Sequence, residues 1–392
     1  MLTRSGWGAV ALAGAAFGIG RVFGILELYV LGMGTLAALV VGALTVAGRQ
    51  PRLMVRRLVD PSTVQAGDAA RVDIQIANAG PRRSPVLQLW EPVGATGGAT
   101  MNLAPLKPRE RSTAAYRLPT TARGVVRVGP MRARRRDVLG LASKTFVVPG
   151  TAELLVMPHH TPVAFPVGGS SGRLGDHLRL RAHGQSGSEF HSLRAYVAGD
   201  DLRRISWKAS ARTNGLVVKE TALEGVKRCT VVLDTVLDLR PDERATAAFE
   251  YAVSAAASLV TGAVTAGLGT RLIARDIDLR GHDVAAQALR WLATVQPSPG
   301  GEASLPSLMS GEGMGLVLVV TAGADTPTMA LVRSAIGPDE TLVVVATDGP
   351  RGGRERFVVD ASSHEAFLDS WSQLTGSLGR GVRLPSAYAV SR

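Results

Sequence analysis

The sequence predicts a mixed architecture that combines an N-terminal transmembrane hairpin, an all-β sandwich and a doubly wound α/β domain. Three observations predict it. Two apolar runs lie within the first 50 residues, a stretch of period-two alternation broken by turn residues follows, and the C-terminal half alternates short aliphatic runs with helical ones. At 392 residues the chain has room for two or three domains, each large enough to bury a core.

The transmembrane hairpin is predicted within residues 1–50. Residues 28–47 supply the roughly 20 apolar residues that cross a bilayer, whereas residues 6–20 form a shorter, Gly/Ala-rich run that needs part of the link to complete its span. A cleaved signal peptide is the alternative for the first run. Four arginines between positions 49 and 57 follow the second run, so the positive-inside rule predicts a multi-pass cell-membrane protein with the bulk of the chain in the cytoplasm.

Residues 51–150 are predicted to form an immunoglobulin-like β-sandwich. Val72, Ile74 and Ile76 alternate with polar residues, as expected of a strand that buries one face. Turn signals such as residues 78–81 punctuate the stretch, and it shows hardly any helical period. Short strands with frequent turns favour two antiparallel sheets packed face to face.

Residues 151–225 are predicted to hold a linker and a charged motif. Residues 168–188 are rich in Gly, Ser and Arg, which is typical of a flexible connector. Residues 189–220 hold the chain's densest cluster of charged, aromatic and glycine residues. The candidate partner-binding residues of this motif are Glu189, Arg194, Tyr196, Gly199, Asp200, Asp201, Arg203, Arg204, Trp207, Lys208 and Arg212.

The motif is expected to fold as helix, turn and strand. Asp200 or Asp201 is predicted to cap a short helix, because a carboxylate accepts the free amide protons of a first helical turn. The apolar face of that helix includes Ile205. Residues 214–215, Asn-Gly, are typical of a helix stop, and residues 216–218 are predicted to begin a strand.

Three interpretations of the motif remain open from its residue types. The charged residues could form a network that fastens two domains, with Trp207 as a packing anchor. They could form a recognition surface, in which arginines bind carboxylates or phosphates and Trp207 or Tyr196 is the anchor. Catalysis is the third, but adjacent aspartates rarely face each other across one substrate atom, and no nucleophile with a neighbouring histidine is visible.

Residues 226–380 are predicted to form the doubly wound α/β domain, and residues 381–392 a tail. Short aliphatic strands separated by helices are typical of a parallel sheet with both faces covered. Ligands of such sheets bind beyond the carboxyl ends of the strands, so that edge is the predicted binding edge.

Charge and cysteine content restrict the function classes. The formal net charge is +12, and residues 51–150 hold 17 basic against 6 acidic residues, whereas residues 226–392 hold 15 against 18. A basic domain beside the membrane suits an anionic lipid surface. Nucleic-acid binding is disfavoured, because the arginines at 132–136 lack interleaved aromatic residues for stacking. The single cysteine, Cys229, fits a reducing compartment, and none of the seven histidines has metal-ligand spacing.

The motif at residues 189–220 resembles the core motif of the bacterial domain of unknown function 58 family. A second stretch, Arg123-Gly124-Val125 through Asp137-Val138-Leu139-Gly140-Leu141, resembles another stripe of that family. The resemblance implies a membrane hairpin and a β domain before the motif and a von Willebrand factor A-like domain after it. It also implies a partner, because relatives commonly accompany MoxR-type AAA+ ATPases, which are thought to assemble or activate protein complexes.

The α/β domain departs from the metal-binding members of the von Willebrand factor A-like fold. In those members the first strand ends in Asp-x-Ser-x-Ser, whose oxygens coordinate a hard cation. Here the positions are Asp234, Val236 and Asp238, and valine offers no oxygen. Asp234, Asp238 and Thr321 are therefore only weak metal candidates, and no cofactor is predicted.

The sequence therefore predicts a non-enzymatic, membrane-anchored scaffold or adaptor, and the family resemblance implies that it works with a MoxR-type AAA+ ATPase. Two alternatives stay open. One is a hydrolase built on Glu189, Asp200, Asp201 and Arg204, and the other is a purely structural envelope protein.

Overall fold

The computed structural model describes residues 2–95, 97–166, 172–184, 190–196, 205–213, 215–221, 228–237, 243–299, 305, 314–321, 326–337, 340–348 and 355–376. The chain divides into two compact units, residues 1–157 and residues 158–392. Both α and β elements are present, and two apolar helices precede the first sheet.

The first unit begins with two helices, α1 (Arg4–Phe23) and α2 (Leu26–Ala47), which pack against each other. Their 20 and 22 residues correspond to about 30 and 33 Å at 1.5 Å per residue, enough to cross a hydrocarbon core. Gly24 ends α1 in the left-handed conformation, with φ of 71°. The first apolar run, residues 6–20, is extended by residues of the link, because α1 continues through Arg21 to Phe23.

After the two helices, the described residues of the first unit form ten strands. They are β1 (Leu53–Asp60), β2 (Thr63–Gln65), β3 (Arg71–Asn78), β4 (Leu87–Val93), β5 (Gly97–Leu103), β6 (Arg111–Arg117), β7 (Gly124–Val128), β8 (Met131–Arg136), β9 (Ser143–Val148) and β10 (Ala152–Met157). One sheet has the order β1-β3-β6, and the other has the order β2-β10-β7-β4-β8-β9 with β5 paired to β4. All pairings are antiparallel except that of β2 with β10.

The two sheets share one core, to which each contributes alternate residues. Val72, Ile74 and Ile76 of β3 are buried with Leu87 and Leu89 of β4, as the period-two pattern predicts. The same core region also encloses an ion pair. The guanidinium of Arg57 donates to the Glu91 carboxylate, whose other oxygen accepts from the hydroxyl of Tyr116.

The second unit is built on a six-stranded sheet. Its strands are β13 (Arg228–Leu233), β15 (Gly269–Ala274), β16 (Ile277–Arg280), β18 (Leu316–Thr321), β19 (Thr341–Ala346) and β20 (Val358–Asp360), in the order β16-β15-β13-β18-β19-β20. Five strands are parallel, and the edge strand β16 runs antiparallel to β15. The order reverses between β13 and β18, which makes that point the switch point of a doubly wound sheet. Two short pairs, β11 (Phe190–Ala195) with β12 (Val217–Thr221) and β14 (Val236–Leu237) with β17 (Ser298–Pro299), lie outside it.

The described part of the second unit contains six helices. They are α3 (Arg173–Gly184), α4 (Trp207–Thr213), α5 (Glu243–Thr265), α6 (Val284–Thr294), α7 (Pro327–Ala335) and α8 (His364–Thr375). Among the residues that the structure describes, three helices, α1, α2 and α5, are long and apolar enough to cross a membrane by length and composition. However, α5 packs against β13, β15 and β18, and most of its residues are buried in the core of this unit.

Two expectations about the middle of the chain were wrong. The predicted flexible connector contains α3, because Leu174 is fully buried in the core and Leu178, one turn later, packs against it. The predicted cap of the motif helix at Asp200 or Asp201 lies outside the described residues, but the prediction that Ile205 lies on this helix was wrong. Residue Ile205 forms a β-bridge instead, and α4 starts only at Trp207, directly after Ser206.

Candidate functional site

The charged motif is described in part. Tyr196, Trp207, Lys208 and Arg212 lie within the described residues, and Arg194 lies in β11, where its Cα pairs with that of Val218. The remaining predicted site residues lie outside the described residues; they are Glu189, Gly199, Asp200, Asp201, Arg203 and Arg204. The carboxylate cluster of the hydrolase alternative therefore falls on residues of which nothing is described.

Backbone and serine hydrogen bonds fix α4 to the β11–β12 pair. The Ser206 amide donates to the carbonyl of Val217 at 2.8 Å, and the Val217 amide donates to Oγ of Ser210 at 2.9 Å. The Tyr196 amide donates to the carbonyl of Leu216 at 2.8 Å. Ile205, just before the helix, is buried. The helix is thus bonded to the start of β12 just before its first residue and again near its middle.

One side of α4 presents an aromatic ring and two cations to solvent. Trp207 is 68% exposed, and Lys208 and Arg212 are exposed one turn apart on the same helix. We call Trp207, Lys208 and Arg212 the α4 surface. Exposure of Trp207 disfavours the interpretation of this residue as a packing anchor, because a tryptophan that fastens two elements buries most of its ring.

A second constellation lies at the switch point of the parallel sheet. Asp234 follows β13 and is only 4% exposed. Its Oδ2 accepts from the hydroxyl of Thr321 at 2.9 Å, and its Oδ1 accepts from the hydroxyl of Thr328 at 2.8 Å and from the amide of Val236 at 3.1 Å. A buried carboxylate is costly unless it is hydrogen-bonded, and here both oxygens have donors from the protein.

The structure therefore brings two of the three weak metal candidates together, Asp234 and Thr321, whereas Asp238 lies outside the described residues. Within the described part of the chain, no group of three or more His, Cys, Asp or Glu side chains could hold a metal ion. Thr328 was missed by the sequence analysis. Its hydroxyl comes from the first turn of α7, and a Thr-Pro-Thr helix start gives no sign of which strand end it faces.

A cavity of about 720 Å³ opens beside Asp234 at the carboxyl ends of β13 and β15. Its lining residues are Thr235, Arg275, Asp276, Trp291, Thr294, Val295, Gln296 and Ser298. This is the edge at which doubly wound sheets bind ligands, and the volume lies within the usual range of ligand pockets. We call it the strand-end cavity. The rule that ligands bind beyond the carboxyl ends of parallel strands predicted this edge of the sheet. It did not identify Arg275 and Trp291, and a lone arginine after a strand is usually only a solvated charge.

Histidines and hydroxyls meet elsewhere on the second unit. The ring nitrogens of His364 lie 3.3 Å from Oγ of Ser254 and 3.2 Å from Oγ1 of Thr161, and its ring contacts that of His159 edge-on. Burial, the largest cause, and the neighbouring His159 lower the pKa of His364. The pKa of His160 is also lowered, again mainly by burial. The cluster packs residues 159–161 against α5 and the start of α8, so its clearest role is structural.

Comparison with known proteins places part of the chain. Residues 192–298 match the family model described as "Protein of unknown function DUF58". The matched segment includes the α4 surface, Asp234 and the whole lining of the strand-end cavity. An uncharacterized protein of Bacillus subtilis, YeaD, is 29% identical over 160 residues, which cover 41% of this chain and 38% of that protein. The chain therefore aligns with well under half of this relative.

Solved structures give no further guidance. The CARDB domain of the PF1109 protein from Pyrococcus furiosus, solved with di-metal ions, matches 28% of this chain and 96% of its own length at 17% identity, with a TM-score of 0.20. A β-glucosidase from Listeria innocua matches 26% of this chain and 16% of its own length at 13% identity, with a TM-score of 0.17. At such TM-scores neither similarity supports an argument about this chain.

Proposed function

We propose that this chain is a non-enzymatic, membrane-anchored adaptor whose second unit binds a protein partner through the α4 surface and the strand-end cavity. The proposed partner is a MoxR-type AAA+ ATPase or its client. The resemblance of the motif motivates the ATPase, because relatives of the family commonly accompany such enzymes. The hairpin of α1 and α2 would hold the pair at the cell membrane, with the bulk of the chain in the cytoplasm.

The α4 surface is the observation that carries this proposal. The Trp207 ring is mostly in contact with water in the free protein, so its apolar surface gives a favourable free energy of burial when a partner covers it. Tryptophan and arginine are the residue types most enriched among binding hot spots, and a helix that is hydrogen-bonded to a neighbouring strand loses little conformational entropy on binding. Lys208 and Arg212 beside the ring favour a partner surface with carboxylates.

The fold of each unit supports finer proposals. The doubly wound sheet, with an aspartate directly after its first strand, supports a von Willebrand factor A-like domain for the second unit. The two sheets around one core support an immunoglobulin-like sandwich in the first. A catalytic metal is not part of the proposal, because threonine hydroxyls satisfy Asp234 and the next position of the metal motif is Val236.

The test is a cross-linked co-purification of the tagged full-length chain from membranes, with ATPases identified by mass spectrometry. A Trp207→Ala/Arg212→Ala double variant is compared with a Tyr251→Ala/Arg290→Ala control, which removes the same kinds of side chain, partly or fully exposed, from α5 and α6. Loss of a hot spot costs about 2 kcal/mol or more, roughly a 30-fold loss of affinity. We expect the ATPase with wild type and control, and strongly reduced recovery with the α4 variant.

Thermal unfolding of the same purified proteins separates the alternatives. A binding surface predicts an unchanged melting temperature for the α4 variant, since exposed substitutions usually alter stability by less than about 0.5 kcal/mol. A large drop in melting temperature would instead favour the interpretation in which the motif fastens domains. Equal ATPase recovery from wild type and the folded α4 variant would contradict binding through this surface.

A further inference from the structure

The loop between β8 and β9, residues 137–142, carries an unusually exposed pair of aliphatic side chains. Val138 is 103% exposed and Leu139 is 64% exposed, and they are neighbours at the tip. Scattered exposed aliphatic residues are ordinary on a protein surface, but two adjacent ones on a projecting turn are a concentrated apolar patch. We call residues 137–142 the β8–β9 loop.

Internal hydrogen bonds hold this loop in shape. The Asp137 carboxylate accepts from the amide of Leu139 at 3.0 Å through Oδ2 and from the amide of Ala142 at 2.6 Å through Oδ1. The Gly140 amide donates to the Asp137 carbonyl at 3.0 Å, and Gly140 has φ of 72°, a conformation that favours glycine. Val138 and Leu139 are therefore held outward by a fixed turn.

The loop lies directly against the hairpin helices. The Thr3 amide donates to the carbonyl of Leu141 at 2.9 Å, and the Thr3 hydroxyl donates to the carbonyl of Gly140 at 2.6 Å. Asp137 packs on Gly42 of α2, where an added Cβ would lie 3.1 Å from its Oδ2. Gly42 is five residues before the end of α2, which is about 8 Å along the helix axis. The loop thus contacts α1 at its N-terminal cap and α2 more than one turn before its C-terminal end.

We propose that the β8–β9 loop is a third membrane contact, which inserts Val138 and Leu139 into the boundary between headgroups and acyl chains. The inference rests on the proposed anchoring of α1 and α2 in a bilayer. If these helices span, a loop bound to their ends at this depth lies at the edge of the same leaflet, where exposed aliphatic side chains gain by leaving water. A lipid surface is therefore the occupant that continues an existing interface.

Cationic residues next to the loop fit the same partner. Arg132, Arg134 and Arg136 are exposed on β8, the strand that leads into the loop, and Arg136 packs against Gly140. Arginines just outside an apolar insertion are well placed to meet lipid phosphates, and each adds about 1 kcal/mol near an anionic surface. A lipid surface accounts for all three features of this region: the aliphatic loop tip, the basic strand and the contact with the apolar helices. A protein partner would account for the aliphatic tip alone.

The test places an environment-sensitive NBD fluorophore at single introduced cysteines in the full-length chain. The chain is reconstituted into vesicles of phosphatidylcholine and phosphatidylglycerol. Cys229 can stay, because it is buried and burial raises the pKa of its thiol, which keeps it unreactive. The three sites are Val138→Cys in the loop, Leu36→Cys in the middle of α2 and Ala69→Cys in the β2–β3 turn. Ala69 is exposed near the far end of β1, some 26 Å along that strand from the hairpin.

Lipids that carry a doxyl quencher at a shallow or a deep acyl position then report depth. We expect strong quenching of the Val138 probe by the shallow quencher, quenching of the Leu36 probe by the deep one, and none at Ala69. A quenched Leu36 probe with an unquenched Val138 probe would overturn the loop insertion while leaving the anchor intact. An unquenched Leu36 probe would overturn the anchoring itself. A Val138 probe shielded from aqueous iodide yet unquenched by lipid would show that protein covers the loop, which also contradicts the inference.

Discussion

Both carboxylate oxygens of Asp234 accept hydrogen bonds from threonine hydroxyls, and this arrangement decides what the switch point of the parallel sheet can do. In a metal-binding site the carboxylate would coordinate a cation, whereas here the hydroxyls of Thr321 and Thr328 donate hydrogen bonds to it. The sequence analysis identified Asp234 and Thr321 because they stand at positions that resemble the metal motifs of von Willebrand factor A-like domains. It could not identify Thr328, because the approach of α7 to that edge depends on the packing of Met329 and Val332 into the core.

We predict that Thr328→Val destabilises the second unit by about 1–3 kcal/mol, because it leaves a buried carboxylate oxygen without its hydroxyl donor. Thr294→Val, which removes an exposed hydroxyl bonded to the Trp291 carbonyl, serves as the control and should have little effect. Hydrogen exchange of peptides that cover β13 and β18 in the full-length protein measures the difference locally. If Thr328→Val left the exchange unchanged, the Thr328 hydroxyl would not be needed by the Asp234 carboxylate. If added Mg²⁺ restored the protection of β13 and β18 in this variant, the site would bind a metal ion. Either result would contradict the assignment of protein hydroxyls as the partners of Asp234.

The cluster around His364 predicts a pH dependence of stability. His364 begins α8, where burial, the adjacent His159 and the positive end of the helix dipole all disfavour the protonated ring, although Glu365 opposes them. Its pKa is therefore lower in the folded than in the unfolded chain. The unfolded chain binds the proton first, so stability is full above about pH 6.5 and is lost as the pH falls from there toward the folded-state pKa.

Thermal unfolding of the full-length protein between pH 5 and 8, solubilised in one detergent, checks this expectation. The melting temperature of wild type should fall below about pH 6.5, and His364→Gln should flatten the decline. His282→Gln removes an exposed histidine from the same unit and should leave the pH profile unchanged. Identical profiles for wild type and His364→Gln would contradict the role assigned to this ring.

At the scale of elements, the spacing of apolar residues predicted those strands and helices that bury one regular face. It failed for elements whose position depends on contacts with other parts of the fold. The strands β3, β13, β15, β18, β19 and β20 and the helices α5, α6, α7 and α8 follow from apolar spacing, because their buried faces repeat regularly. Helix α3 was missed, since only its contact with the core distinguishes a Leu-Gly-Asp-His-Leu segment from a polar linker. Ile205 was predicted to be helical because its apolar spacing fits a helix face, whereas the structure places it in a β-bridge just before α4.

At the scale of the whole molecule, the chain separates its charges along its length. The basic excess lies in residues 51–150, directly after the apolar hairpin, whereas residues 226–392 are slightly acidic. For the proposed membrane anchor, the positive-inside rule favours the orientation that places the outer ends of both helices and the long C-terminal part on the cytoplasmic side. The short link between α1 and α2 then faces the outside.

This orientation predicts opposite cysteine accessibility on the two sides of the hairpin. In intact bacterial cells, a membrane-impermeant maleimide should label Ile25→Cys, at the partly exposed link between α1 and α2, but not Ala69→Cys, in the β domain. After permeabilisation both should react, while wild type stays unlabelled because Cys229 is buried. Labelling of Ala69→Cys in intact cells would show the opposite orientation and would exclude a cytoplasmic ATPase as the partner. The α4 surface follows Ala69 in the chain, and the described residues contain no further exposed apolar helix that could carry it back across the membrane.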